Sequence, residues 1–388
     1  MDIATPRVDD SAITTHKIVR TAGKELETPA KALQVGKLRK AEDVVDTARG
    51  VAETFATATN TKLENSRTSG FDRLADNLRL QAERAEDDEI VVPFLKFDDT
   101  EDLTLENAKE AARLQSNYGD ILSVPLQTEL TYEANDGDGL GEDPVETIVE
   151  NTRTYLNAVE DLEIEKPVMA VFPSISKAVT DELTKMYIDR GLRAFCVDFN
   201  RRTATAKAQQ DQVITPLMRS LLAEDLHEVS LVYAVNLKNG KPKDDGRRSP
   251  EQVYAYTLGF DVVGDVHLPP RLPPEVFEDM DDPSGVRLFD SDTLSFRDVE
   301  LDDVDEYLPE DSEFTAAEVR RRVKSKGNDR YRLSNLINAE LISLFLKLIE
   351  DEDKEDELFE LLAASPEAIE EDLDEIADIV ARVIGSDN

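Results

Sequence analysis

Basic residues gather in a few short segments of this chain, and these segments could bind phosphate groups. They hold Lys37, Arg39 and Lys40; then Arg201, Arg202 and Lys207; then Lys238, Lys241, Lys243, Arg247 and Arg248. Lys and Arg contacts to phosphates supply most of the electrostatic attraction between proteins and nucleic acids. The alternative interpretation is that these cations pair with the many acidic residues nearby.

A further cationic segment lies near residue 320. Within thirteen residues, and opposed by Asp329 alone, the sequence places seven cations: Arg320, Arg321, Arg322, Lys324, Lys326, Arg330 and Arg332. Such a density suits the backbone of a polynucleotide. The alternative is a helix that pairs with the acidic segment before it, residues 298–311.

These clusters stand out because the chain is strongly acidic. It has 388 residues with 45 Lys and Arg against 84 Asp and Glu, a formal net charge of −39. Its hydrophobic content of 40% indicates a folded core rather than a disordered acidic chain. At about 1 M salt the Debye length falls to about 3 Å, so this charge indicates adaptation to a high-salt cytoplasm. A function that requires acidity, such as a decoy or a cation buffer, is the alternative.

Cysteine usage and hydropathy exclude several classes of protein. The single Cys196 excludes a disulfide framework and any Cys-based zinc or iron–sulfur site. No apolar run is long enough for a membrane helix, and the first residues do not resemble a signal peptide. We therefore expect a cytoplasmic protein with no membrane partner, no metal and no cofactor.

The elements that must position the cations follow an alternating pattern of β-type runs and helical periodicity. This pattern favours an α/β fold with a parallel sheet. The predicted strands cover residues 32–35, 51–57, 90–95, 121–126, 167–172, 194–199, 229–235 and 261–266. Eight strands favour a (β/α)₈ barrel over residues 1–285, although an open doubly wound sheet has the same local pattern. Residues 286–388 are predicted to form a short β segment, an acidic linker and a helical region.

In such a barrel the loops after the strands form the active face. The basic segments near residues 37, 201 and 238 all follow predicted strands, whereas the loops that enter strands are acidic, as in residues 86–89 and 160–165. Asp198, Asn200 and Asn236 also come at predicted strand ends. They line a site or cap their loops; the pattern leaves both interpretations open.

Several segments resemble, in order, the motifs of the tRNA-guanine transglycosylase family. The match begins with TPAKALQVGKLR at residues 28–39 and continues with LTLENAKEAARLQSNYGDILSVPLQTEL at residues 103–130. It continues with KPVMAVFPSISKAVTDELTKMYIDRGLRAFCV at residues 166–197, LGFDVVGDVHLPPRLP at residues 258–273 and LSNLINAE at residues 333–340. The collinear resemblance covers nearly the whole chain. It implies a (β/α)₈ enzyme that exchanges guanine for a 7-deazaguanine base in a polynucleotide.

The resemblance assigns roles to particular residues. Asp265 stands at the position of the family's nucleophile, which forms a covalent intermediate with ribose. His267 and Arg271 follow it and are expected to bind substrate. Asp198, Asn200 and Asn236 are further candidates for substrate binding, predicted from their strand-end positions and not from the resemblance. A second group must protonate the departing base. Glu129, the one carboxylate left in the family's base-binding motif, is a candidate, as are Asp198 and Asp98.

The sequence departs from the family in ways that leave alternatives open. The family's zinc site needs three Cys, so it is excluded here, and its Gly-Gly motif is replaced by Pro173-Ser174-Ile175. The DNA-acting relatives also diverge, so tRNA and DNA are both possible substrates. The chain could instead be a non-catalytic nucleic-acid-binding homologue, working as a homodimer or as the partner of an active homologue. An unrelated barrel enzyme acting on a small phosphorylated metabolite is a third alternative.

Overall fold

The computed structural model describes residues 1–8, 13–69, 72–136, 142–268, 285–325, 329–351 and 370–385. Two parallel sheets form its centre. One has three strands in the order β5 (Leu33–Gln34), β6 (Val51–Ala58), β7 (Ile90–Phe97). The other has six strands, ordered β4 (Ala30–Lys31), β12 (Val262–Val263), β11 (Leu231–Val235), β10 (Ala194–Asp198), β9 (Val168–Pro173) and β8 (Leu122–Ser123). The predicted α/β class with a parallel sheet is therefore confirmed.

The two sheets meet at both of their edges. On one side β4 and β5 are separated by Ala32 alone, whose N–H donates to the Val263 carbonyl at 3.0 Å. On the other side a parallel bridge joins Lys96 of β7 to Leu126, three residues beyond the end of β8. Each of the eight predicted β-type runs overlaps one of these strands. Their residues are buried on both faces, as in the continuous apolar runs of β9, β10 and β11, which is typical of parallel sheets.

Helices connect most of the strands. They are α1 (Asn60–Thr68), α2 (Arg73–Ala82), α3 (Leu105–Tyr118), α4 (Thr128–Asp136), α5 (Glu142–Asp161), α6 (Lys177–Asp189), α7 (Lys207–Gln209), α8 (Thr215–Ala223) and α9 (Glu251–Thr257). Side-chain caps begin several of them: Thr104 accepts from the Asn107 N–H, and Asp72 accepts from the Leu74 and Ala75 N–H groups. These caps satisfy amides that have no partner within the helix.

An antiparallel sheet precedes the parallel strands and was not predicted. It consists of β1 (Asp2–Val8), β2 (Thr15–Thr21) and β3 (Lys24–Glu27). Lys17 of β2 ties this sheet to the rest of the fold, because its buried Nζ donates to Asp261 Oδ2 and to the Ser230 carbonyl, each at 2.8 Å. His16 is the second residue of β2, so it belongs to the antiparallel sheet and not to the ends of the parallel strands.

The C-terminal region packs directly against the three-stranded sheet. It contains a hairpin of β13 (Gly285–Asp290) and β14 (Ser295–Glu300), followed by α10 (Ala316–Ser325), α11 (Asp329–Asp351) and α12 (Glu370–Ile384). One hydrophobic cluster joins Val35 and Ala52 with Leu288, Leu333 and Ile337. The acidic linker predicted from residue 298 begins inside β14 and includes a short 3₁₀ turn, Val304–Glu306. Apolar packing thus places the first turns of α11 beside the segment that follows β5.

Candidate functional site

Polar side chains from three adjacent strands converge where those strands end. Asp198 is the last residue of β10, Asn236 follows β11, and Asp265 follows β12 by two residues. The Asn236 side chain donates from Nδ2 to Asp198 Oδ1 at 2.9 Å and accepts the His267 N–H at 2.8 Å on Oδ1. Asn236 therefore links Asp198 to the segment that carries Asp265. The structure brings these four predicted site residues together.

Asp265 is held as a carboxylate by two cations. Lys37 Nζ lies 2.5 Å from Oδ2, while Oδ1 accepts from Asn335 Nδ2 at 3.1 Å and from the Val266 N–H at 2.6 Å. Burial by itself would raise the pKa of Asp265, but the positive charges of Lys37 and Lys31 outweigh it and lower that pKa to about 2. The carboxylate is therefore ionised throughout the neutral range.

Asp198 is shifted in the opposite direction. Its side chain is buried, with only 2% of the residue exposed, and burial raises its pKa despite hydrogen bonds from Asn236 and from the Asn200 N–H. The pKa values of these two carboxyl groups, on strand ends separated by β11, are thus displaced in opposite directions. In enzymes such a division separates the group that stays anionic from the group that donates a proton.

Asp265 also lies above a buried carboxylate, that of Glu53 on β6. Glu53 Oε2 accepts the Asp265 N–H at 3.0 Å, and Oε1 accepts the Tyr233 hydroxyl at 2.5 Å. The His267 ring stacks on Phe55 with ring centres 4.7 Å apart. Sequence analysis missed Glu53; the available signal was an acidic residue inside an otherwise apolar β run.

The backbone at these strand ends adopts conformations that non-glycine residues seldom take. Asn200, Arg201 and Asn236 have φ values of 47°, 62° and 58°, in the left-handed region. Such conformations persist only where the surrounding structure imposes them, and they cluster at functional sites. Within the described chain Asn200 Oδ1 is buried without a hydrogen-bond partner. Two neighbouring loops are therefore strained where the polar side chains converge.

Glu129, the other candidate carboxylate, belongs to a different cluster. It lies in the first turn of α4, 3.4 Å from Lys96 Nζ, and the same ammonium contacts Asp98 at 2.5 Å. Both carboxylates contact a cation at the end of β7, whereas Asp198 is hydrogen-bonded to Asn236. The geometry thus favours Asp198 over Glu129 as the second carboxyl group.

The cations near the strand ends divide into bound and exposed groups. Arg201 donates to the Leu268 carbonyl at 2.6 Å, and Arg202 donates to the Ser174 carbonyl at 3.1 Å. Ion pairs engage Arg39 with Asp329, Arg247 with Asp245, and Arg248 with Asp298. Lys238 and Lys241 are exposed, whereas Lys243 is half-buried. Only part of this set is thus presented to solvent.

The second basic segment is divided in the same way. Arg320 pairs with Asp305, and Arg322 pairs with Glu42 and Glu318. These contacts agree with the alternative in which the helix binds acidic neighbours. Arg321 and Lys324 are exposed on α10. Arg271 and Lys326, both predicted to bind substrate or nucleic acid, lie outside the described residues.

Among the described residues no cluster of three or more His, Cys, Asp or Glu side chains could hold a metal ion. None of the helices in the described ranges is long and apolar enough to span a bilayer. No protein-family model matches the chain, and no curated protein matches it significantly.

Proposed function

We propose that this chain is a transglycosylase-like enzyme that exchanges guanine for a 7-deazaguanine base in tRNA or DNA. The scaffold we propose is a closed (β/α)₈ barrel. Its support is the pairing of β4 with β12, of β5 with β6, and the Lys96–Leu126 bridge, which together connect the edges of both parallel sheets. In a barrel of this kind the active site lies at the carboxyl ends of the strands, where Asp198, Asn236 and Asp265 converge.

One observation carries the proposal: Asp265 and Asp198 lie on linked strand ends with pKa values displaced in opposite directions. Base exchange needs an ionised nucleophile and a separate proton donor. The lowered pKa of Asp265 keeps the nucleophile ionised, the raised pKa of Asp198 favours its protonated form, and the proposed steps use no cofactor.

The proposed reaction proceeds in two displacements. The Asp265 carboxylate attacks the anomeric carbon of the ribose, the glycosidic bond breaks, and its electron pair leaves with the guanine nitrogen, which takes the proton of Asp198. The incoming 7-deazaguanine then loses a proton to Asp198 and attacks the same carbon, so that the ester to Asp265 breaks. Two displacements retain the configuration, as in retaining glycosidases.

Exposed cations support a polynucleotide as the partner. Lys238 and Lys241 follow β11, at the same strand-end face as Asp198, while Arg321 and Lys324 lie on α10. On a chain of net charge −39 a polyanion is attracted only where cations are locally presented. We place the enzyme in a high-salt cytoplasm, where the general acidic surface is screened.

The test is guanine exchange in molar KCl with tRNA and with duplex DNA. Wild type should incorporate labelled base and leave a covalent protein–polynucleotide adduct on a denaturing gel. Asp265→Asn should form no adduct, and Asp198→Asn should slow exchange about 10²–10⁴-fold, the usual contribution of acid–base catalysis. Asp189→Asn, an exposed change on α6, is the matched control. Wild type that binds both polynucleotides yet exchanges no base would contradict the proposal.

A second candidate is a non-catalytic subunit that binds nucleic acid as a homodimer or beside an active homologue. The observation that favours it is the occupation of both Asp265 oxygens, by Lys37 on one side and by Asn335 and the Val266 N–H on the other. A nucleophile must free one of these oxygens to react. Polynucleotide binding without an adduct, and exchange that requires a second protein, would support this candidate.

A further inference from the structure

The segment that carries Asp265 has no regular structure of its own. β12 ends at Val263. Beyond it, residues of other strands make two hydrogen bonds to the Asp265 backbone. Its N–H donates to Glu53 Oε2 at 3.0 Å, and its carbonyl accepts the Asn236 N–H at 3.1 Å. The direction of the Asp265 side chain therefore depends on side chains and backbone from other strands.

Glu53 is a fully buried carboxylate on β6. Burial would raise its pKa, but the nearby His267 and Lys31, together with the Tyr233 hydroxyl, lower it below the usual value. His267 Nε2 lies 3.0 Å from Oε2, although the two groups are not aligned as a hydrogen bond. A carboxylate at this distance favours a proton on Nε2, and within the described residues Nδ1 has no partner.

Gly264, the residue before Asp265, leaves room for the Glu53 carboxylate because it has no side chain. A Cβ atom on Gly264 would lie 2.0 Å from Glu53 Oε1 and 2.9 Å from the Tyr233 ring. Contacts below 3.0 Å force a shift, and here both neighbours are buried and hydrogen-bonded to each other. Glycine at this position is thus what allows Glu53 to reach the Asp265 backbone, an observation independent of the hydrogen bonds themselves.

We propose that Glu53 is the positioning residue of the nucleophile, fixing the Asp265 backbone directly and the His267 ring beside it. This inference rests on the proposed base exchange. Glu53 does not touch the reacting atoms, since it lies beneath Asp265 and is closed to solvent. Its effect is to hold a carboxylate in an attacking direction, and a displacement of about 1 Å in such a group costs about 10²-fold in rate.

The kinetic test compares Glu53→Gln with Glu110→Gln. Glu110 of α3 is also a buried glutamate and accepts from Ser66 of α1 and Arg113 of α3, so it controls for loss of a buried charge. We expect Glu53→Gln to lower the rate of adduct formation about 10²-fold, with an unchanged Kd for polynucleotide. Gly264→Ala should reproduce this loss, while Glu110→Gln should retain the wild-type rate.

A second measurement reports on the His267 ring without requiring activity. The chain has three histidines, His16, His227 and His267, so ¹⁵N labelling gives few ring signals. We expect His267 of wild type to show a proton on Nε2, and Glu53→Gln to alter that tautomer pattern while the other two histidines stay unchanged. Unfolding in urea confirms that each variant is folded.

The outcomes separate the positioning role from the proposed function. If wild type forms adduct while Glu53→Gln does so within about twofold of the wild-type rate, the positioning role is overturned. If wild type forms no adduct with any substrate, the proposed function fails. The ¹⁵N signals of the His267 ring then still test whether Glu53 positions that ring. A His267 pattern identical in wild type and Glu53→Gln would then overturn the role, and an altered pattern would support it.

Discussion

Lys37 Nζ lies 2.5 Å from Asp265 Oδ2, although 228 positions separate the two residues in the chain. The contact joins the segment after β5 to the segment after β12, so strands from the two parallel sheets contribute opposite charges to one site. Both side chains are largely buried, with 18% and 13% exposed, which limits screening of the pair by salt. The pair is therefore expected to persist in molar KCl.

Replacing Lys37 should change the pH dependence of exchange. Lys37→Met removes the cation that contacts Asp265 directly and helps to keep its pKa at about 2. That pKa rises, so the anionic nucleophile is lost at a higher pH and the acid limb of the rate profile moves up by roughly 1 unit. Rates followed down to about pH 2–3, where the Asp265 carboxylate takes up its proton, check this, with the exposed Lys185→Met as control. An acid limb that stays in place would contradict the assignment.

The buried pair of Lys17 and Asp261 should dominate the stability of the N-terminal sheet. Lys17→Met leaves Asp261 buried without its partner and is expected to lower the free energy of unfolding by about 3–5 kcal/mol. The double variant with Asp261→Leu should recover part of this loss. Urea unfolding in molar KCl, followed by circular dichroism, measures all three proteins.

The same variant has a defined pH dependence. Burial already raises the pKa of Asp261 despite Lys17, and loss of the lysine removes the main opposing charge. A carboxyl group with a folded pKa above its unfolded value binds more protons in the native state, so stability rises as pH falls between those values. The deficit of Lys17→Met should therefore shrink on acidification. A deficit that widens would show that Asp261 remains ionised.

Exposed and ion-paired cations should respond differently to charge removal. Lys238→Gln with Lys241→Gln should weaken polynucleotide binding and lower the slope of log Kd against log salt by about 2, near 1 per lysine. The free energy of unfolding should not change. Arg322→Gln should instead destabilise the protein, because it leaves the buried Glu42 with one guanidinium fewer. Binding isotherms at several KCl concentrations, together with urea curves, distinguish the two classes.

Cys196 offers a probe of global unfolding. Its side chain is fully buried on β10, and burial raises the pKa of the thiol well above its usual value. A maleimide should therefore label the native chain at least about 10³-fold more slowly than the urea-unfolded chain, given ordinary domain stability. Rapid labelling under native conditions would show that β10 opens locally.

The parallel strands were predictable because burial on both faces produces continuous apolar runs. β9 and β10 illustrate this, since every residue in them is buried. β1 carries Pro6 and two charged residues among seven, so its sequence gives little β signal, and its pairing with β2 is what makes it a strand. The ends of these strands were predictable for the same reason, and so the positions of Asp198 and Asn236 at strand ends were also predicted.

The rest of the site depends on contacts that local patterns do not encode. Asn335 reaches Asp265 from a helix 70 residues away, and its own segment shows only amphipathic spacing. Glu53 interrupts an apolar run, and its role becomes visible only in the folded structure, where it accepts a hydrogen bond from the Asp265 N–H. Cation counts suggested phosphate binding at Arg320 and Arg322. Arg320 instead pairs with Asp305 of the preceding acidic segment, as the alternative interpretation predicted, whereas the pairing of Arg322 with Glu42, 280 residues away, could not be predicted from local patterns.

The contact between Asn335 and Asp265 has a consequence for how this protein can be divided. The candidate nucleophile lies in residues 1–285, whereas one of the groups that orient it is delivered by α11, beyond that boundary. A graft that moved residues 1–285 onto another protein would carry Asp265 with one oxygen relieved of its amide partner. Replacing the C-terminal helices with those of another protein would therefore alter the reactivity of Asp265, although Asp265 does not belong to them.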